Sequence, residues 1–205
     1  MDDSKRSGRD ISGKNRFKTF LPRERLRIWG AHQVFGAPLT LVILILVGSI
    51  LISPYLAERG SVNLGEDGVV GERDHGDEIS EIDNPLARRT YRFGDYWCHQ
   101  KSSRSLNLNY NQMAVCSRDL GLFLGLLLGS VLGILYTRRI TLLFPFILVL
   151  PMAADGLLQY ASAYESNNLL RIVTGLSGGV GIASYLNRNI VHLGRLIMVN
   201  LRRGE

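Results

Sequence analysis

The uneven spread of charge along the chain constrains its fold more than any motif. From Ala31 to Ala57 there is no Asp, Glu, Lys or Arg, and the 67 residues from Leu120 to Leu186 contain five: Arg138, Arg139, Asp155, Glu165 and Arg171. The other 111 residues hold 37 of the 42 charges, about one position in three. Chain averages hide this contrast, because a net charge of +6 and a pI of 9.6 would suit a small basic soluble protein. Nearly charge-free blocks set between densely charged ones are the pattern of a membrane protein, and they weaken the nucleic-acid reading that the pI alone invites. Two cysteines in 205 residues also exclude a disulfide-dense scaffold.

A hydrocarbon core about 30 Å thick needs roughly 20 apolar residues of helix, because in lipid each backbone amide must bond within its own segment. Four stretches qualify: Phe35 to Tyr55, Leu120 to Tyr136, Ile140 to Tyr160 and Leu169 to Leu186. The expected fold class is therefore an all-α integral membrane protein with four transmembrane helices. Lys and Arg counts orient it. Nine lie in Met1 to Gly30, two in the turn Thr137 to Arg139 and four after Leu186, while the segment Gln159 to Asn168 has none. The loop from Glu58 to Arg118 has eight, diluted by ten acids. Placing both termini in the cytoplasm puts all three basic segments on one side. The division expected is a basic tail over 1–30, a first span over 35–55, an outer loop over 56–118, a three-helix membrane core over 119–186 and a basic amphipathic tail over 187–205. Within the loop, 61–84 reads as a mobile acidic linker and 85–118 as the part that carries Cys and His. A multi-pass plasma-membrane protein is expected, with anionic lipid head groups as cytoplasmic partners of the basic tails and no nucleic acid.

Small residues set the helix contacts. Gly121, Gly125, Gly129 and Gly133 form one stripe, and Gly175, Gly179 and Ala183 form another. Such stripes let backbones approach where lipid competes for apolar side chains. They would serve packing within the chain or a homo-oligomer.

Chemistry concentrates in WCHQKSSRS and MAVCSRDLG. Cys98, His99, Cys116 and Asp119 supply two thiols, an imidazole and a carboxylate, a donor set suited to Zn²⁺. Adjacent Cys98 and His99 tend to point apart, which counts against a shared ion. A Cys98–Cys116 disulfide is the competing reading on an oxidising outer face, and free or redox thiols are a third. In the third span Asp155 and Gln159 lie one turn apart, and Arg171 near the start of the fourth span lies at similar depth. An Asp155–Arg171 ion pair is the expected arrangement, since intramembrane charges face partners or cavities. With Arg104 and Asn168 as candidate anion or substrate contacts, and Asp155, Arg171 and Gln159 as candidate catalytic groups, any chemistry faces the outer side. A metal-supported enzyme acting on a lipid or lipid-linked substrate is one reading. A carrier or a membrane-complex subunit is the alternative.

WCHQKSSRS, QMAVCSRDLGLFLG, PMAADGLLQ and NNLLRIVTGLSGG together resemble the small archaeal and bacterial membrane proteins grouped as domain of unknown function 2085, over about Tyr96 to Tyr185. The resemblance implies a Cys-His and Cys-x-x-Cys set in many members, with Asp119 standing here at the place of the last cysteine. It also implies family positions at Asp155, Gln159, Asn168, Arg171 and Gly175. It supplies site candidates and no reaction.

Overall fold

The computed structural model describes residues 23–203 apart from 67, 136–139 and 163, with side chains from residue 36 onward except at 195 and 198–203. Most of the basic N-terminal tail, the Thr137 to Arg139 turn and the last two residues lie outside this range. The chain is mostly helical, and four helices are long and apolar enough to cross a membrane, over Gly36–Leu56, Ser117–Leu135, Leu143–Ala161 and Asn168–Gly194. They belong to α1 (Arg23–Leu56), α4 (Ser117–Leu135), α5 (Leu143–Ala161) and α6 (Asn168–Arg203). The expected amphipathic C-terminal tail is thus the continuation of α6.

The glycine stripes of α4 and α6 face each other within one chain. A Cβ on Gly121, Gly125 or Gly129 would stand 2.2, 2.2 or 2.5 Å from the carbonyl oxygens of Ile172, Leu176 and Val180. A Cβ on Gly175 or Gly179 would stand equally close, 2.2 Å, to the carbonyl oxygens of Arg118 and Leu122. Partners advance together along both helices, so α4 and α6 run parallel, and α5 returns the chain between them. This intrachain seam occupies the smooth faces that a homo-oligomer through the stripes would have used. Polar side chains add contacts deeper in the bundle: Asn187 Nδ2 donates to Ser130 O at 2.8 Å and Thr40 Oγ1 at 3.3 Å, tying α6 to α4 and α1. α5 packs chiefly on α6 and exposes Phe146, Ile147, Leu157 and Leu158, as a lipid-facing helix would.

Between α1 and α4 the chain folds into a cap. It contains α2 (Gly76–Ser80), α3 (Pro85–Trp97) and an antiparallel hairpin of β1 (Ser105–Leu108) and β2 (Asn111–Cys116). The hairpin departs from the all-α expectation. Its two-residue connection, Asn109 and Tyr110, has φ of 54° and 62°, the left-handed pair that suits the twist of adjoining strands. α3 starts where Asn84 Oδ1 accepts from Leu86 N and Ala87 N, with Pro85 in the first turn.

The stretch expected to be a mobile linker is packed: Val62, Leu64, Ile79 and Ile82 join Ala87, Tyr91 and Ala114 in a buried cluster. Side chains bonded to backbone replace regular pairing there. Gln112 Oε1 accepts from Leu64 N at 2.8 Å, while its Nε2 donates to Gln100 O. Asn111 Nδ2 donates to the carbonyls of Pro54 and Glu58 at 2.8 and 2.9 Å, which anchors the hairpin on the end of α1. Tyr91 donates its hydroxyl to Gln112 O at 2.5 Å, and burial pushes its pKa up.

Candidate functional site

The site forms where α3 ends and α4 begins. Cys98 caps α3, its N–H bonding Gly94 O at 2.7 Å, and Cys116 is the last residue of β2. Two positions on, Gln100 adopts φ of +44° and is fully buried, Nε2 donating to Tyr91 O at 3.1 Å and Ala114 O at 2.8 Å. A left-handed residue without glycine's freedom is a locally costly conformation, held here by these hydrogen bonds. The chain bend at Gln100 accompanies a geometry that sequence spacing argued against: ligand atoms of Cys98, His99 and Cys116 all lie within 4.8 Å of one another. Ile50, Met113, Val115 and Leu120 enclose the sulfurs.

Both cysteines are free thiols, so the disulfide reading is not the arrangement adopted. Cys116 N donates to Cys98 Sγ at 3.2 Å. The pair shares its protons unequally. Hydrogen bonding to Cys116, then burial, pushes the Cys98 thiol up, and Asp119 adds negative charge beside it. Cys116 is held low, because its thiolate accepts hydrogen bonds from Cys98 and His99. The thiolate, rather than the thiol, is what binds a metal.

The donor set passes a chemical test for a soft or borderline divalent ion: two sulfurs and an imidazole, in range of one centre, with Asp119 alongside but outside the tight triad. One cost is visible. His99 Nδ1 accepts from Lys101 N at 3.1 Å, which leaves the ring proton on Nε2. Coordination through Nε2 would move that proton to Nδ1 and break this contact.

Arg118, two residues after Cys116, leads to a second polar group, whose arrangement corrects the expected Asp155–Arg171 pair. Asp155, 5% exposed, has its Oδ2 taken by Arg118 Nη2, Gln159 Nε2 at 2.9 Å and Ser166 Oγ at 3.2 Å. Arg118, in the first turn of α4, reaches Asp155 across the bundle. Arg171, one turn into α6, is intercepted by its own neighbour: Nη1 donates to Asn168 Oδ1 at 3.1 Å. Asn168 Nδ2 in turn reaches Ser105 O at 3.5 Å. Arg104 pairs with Glu165 at 3.2 Å, an exposed bridge from the cap to the α5–α6 connection. The turn that bears Arg104 is pinned by Glu66, which accepts from Ser102 Oγ, Ser103 N and Ser103 Oγ; these bonds hold the Glu66 pKa low.

All the candidate residues therefore lie at the cap end of the bundle, in two adjoining groups. Ser166 is an addition, and Arg118, expected at this end of the bundle, gains its role as the partner of Asp155. Arg118 has the same signal as Arg171, an arginine at the start of an apolar span, and Ser166 has none.

The family described as predicted membrane protein (DUF2085) matches residues 98–185, which takes in the cysteines and α4 to α6. An uncharacterized protein of Methanothermobacter thermautotrophicus is 37% identical over 102 residues, 48% of this chain and 90% of the relative. An uncharacterized protein of Methanocaldococcus jannaschii is 33% identical over 94 residues, 43% of this chain and 60% of that relative. No solved structure matches the chain. With most of the first relative's length covered and both cysteines inside the matched region, the chain belongs to the DUF2085 family of predicted membrane proteins.

Proposed function

We propose that this is a multi-pass protein of the plasma membrane, both termini cytoplasmic, whose outward cap holds a metal-supported site acting on a lipid or lipid-linked substrate. The observation that carries the reading is the convergence of Cys98, His99 and Cys116 within 4.8 Å, with Arg118, two residues after Cys116, paired to the buried carboxylate of Asp155. Zn²⁺ is the ion that best suits two thiolates and an imidazole, with Asp119 as the reserve ligand. Three protein donors leave a fourth position for water or substrate, the coordination typical of catalytic rather than structural zinc. Asp155 is the candidate base, positioned by Gln159, and Arg104, Asn168 and Arg171 are the candidate contacts to an anionic group. The basic cytoplasmic segments meet anionic lipid head groups and need no nucleic acid to explain them.

Elemental analysis of the full chain purified in detergent, with parallel thiol trapping, tests this. About one metal per chain is expected, lost on Cys116→Ser while the protein stays folded. Metal-free wild-type protein with full helical content and two trappable thiols would sink the reading and leave a carrier or complex-subunit role.

A further inference from the structure

The parallel course of α4 and α6 has an electrostatic consequence at the cap end. Both helices begin there, at Ser117 and Asn168, so two positive dipole ends lie side by side. Antiparallel neighbours would have cancelled; these add. Each helix then places a guanidinium in its first turn, Arg118 on α4 and Arg171 on α6.

Three guanidiniums, Arg104, Arg118 and Arg171, stand here against two carboxylates, Asp155 and Glu165, and against Cys116, whose negative charge also bears on Arg171. Arg171 is 4% exposed and lies within electrostatic reach of Arg104 and Arg118, with Asp155 as the carboxylate facing it. That carboxylate is bonded by Arg118, Gln159 and Ser166 on one oxygen. Glu165 is engaged by Arg104 at the exposed rim. Among the described residues, the hydrogen bond that the Arg171 side chain makes goes to a neutral amide, Asn168. The Nε atoms of both Arg118 and Arg171 are buried without a partner, as is Asp155 Oδ1, so the cluster holds two unspent donors against one unspent acceptor. A buried guanidinium whose own hydrogen bond goes to a neutral amide, next to two helix N-termini and with its Nε donor unspent, is a site arranged for an anion. Access exists from the cap side, where the side chains of Arg104 and Arg118 are 31% and 27% exposed.

We infer that Arg118 and Arg171, with Arg104 at the rim, form a binding site for a phosphate group at the cap end of the α4–α6 pair. This deepens the reading above by naming the substrate's anionic part. It rests on that reading only for what the neighbouring metal would do to the bound group. Planar forks that each offer parallel N–H bonds match the oxygens of a phosphate. The phosphate belongs either to a lipid head group or to a soluble ester, and the test has an arm for each.

The full chain in detergent is titrated calorimetrically with inorganic phosphate. In nanodiscs of phosphatidylcholine with and without phosphatidic acid, its thermal midpoint is measured. Saturable phosphate binding supports a soluble source, and a midpoint raised by phosphatidic acid supports the lipid. In whichever arm responds, Arg171→Gln is expected to weaken the effect at least about tenfold. Arg171→Lys, which keeps charge and fold but loses the fork, is expected to weaken it about threefold or more. No saturable response in either arm, or a response that both variants leave unchanged, overturns the proposal. The titrations are repeated on chelator-stripped protein. Phosphate binding that survives stripping stands whatever metal the Cys116→Ser comparison finds, so the two ideas fail separately.

Discussion

The cap and the membrane bundle are held together by opposite means. In the cap, buried side chains reach backbone groups that no regular ladder serves: Gln112 bonds Leu64 and Gln100, Gln100 bonds Tyr91 and Ala114, and Asn111 bonds the end of α1. Along the α4–α6 seam the decisive feature is missing side chains, since glycine lets carbonyls of the facing helix come where a Cβ would be. The difference follows from the solvents. Water outside makes any unsatisfied buried amide expensive, so the cap spends side chains on satisfying it. Lipid supplies no hydrophobic drive for one helix to seek another, so close backbone contact must do the work.

Substitutions can break this contrast in order of size. Gly125→Ala places a methyl carbon 2.2 Å from Leu176 O, with backbone on both sides of the clash. It should cost about 3 kcal/mol or more, read as loss of folded monodisperse protein in detergent or a sharply lowered thermal midpoint. A midpoint equal to wild type would mean the seam is not the bundle's main contact. Gln112→Ala leaves the Leu64 N–H and the Gln100 carbonyl without these partners inside the cap. About 2 to 3 kcal/mol should be lost, with hydrogen exchange accelerated in the cap and unchanged along α4 and α6. Exchange that rose equally in both regions would show that they do not unfold separately. Gly48→Ala is the control: nothing lies within 4 Å of the added carbon, so stability should stay within about 0.5 kcal/mol. A large loss there would show that α1 has a partner beyond this chain.

The same contrast explains what could be read from the sequence. The four spans were legible because hydrophobic length is a local property, and the helix bounds agree with the charge-free runs to within a few residues at most ends. The glycine stripes pointed to helix contacts because a period of four is visible in the chain. The cap was not legible: Gln100, Asn111 and Gln112 bond groups up to 57 residues away and follow no period. The metal triad was legible as composition but not as geometry, since the bend at Gln100 is what accompanies adjacent Cys98 and His99 facing one centre. Asp155 needs a partner by its place in an apolar span, and that partner is Arg118 rather than Arg171. Depth alone does not choose between Arg118 and Arg171; in the structure Arg118 takes Asp155 while Arg171 bonds Asn168, one turn before it.

The α4–α6 seam also works as a gauge block. Contacts at Gly121, Gly125, Gly129 and Gly133 recur over twelve residues, about 18 Å of helix, and each removes the slack that side chains would give. Two rods fixed along that length can neither slide nor splay at their tips. The spacing between Arg118 and Arg171 is therefore set along the whole seam, from Gly175 against the Arg118 carbonyl and Gly121 against Ile172 down to Gly133. A change of one glycine near the opposite face would miscalibrate the jaws without altering a single atom of them.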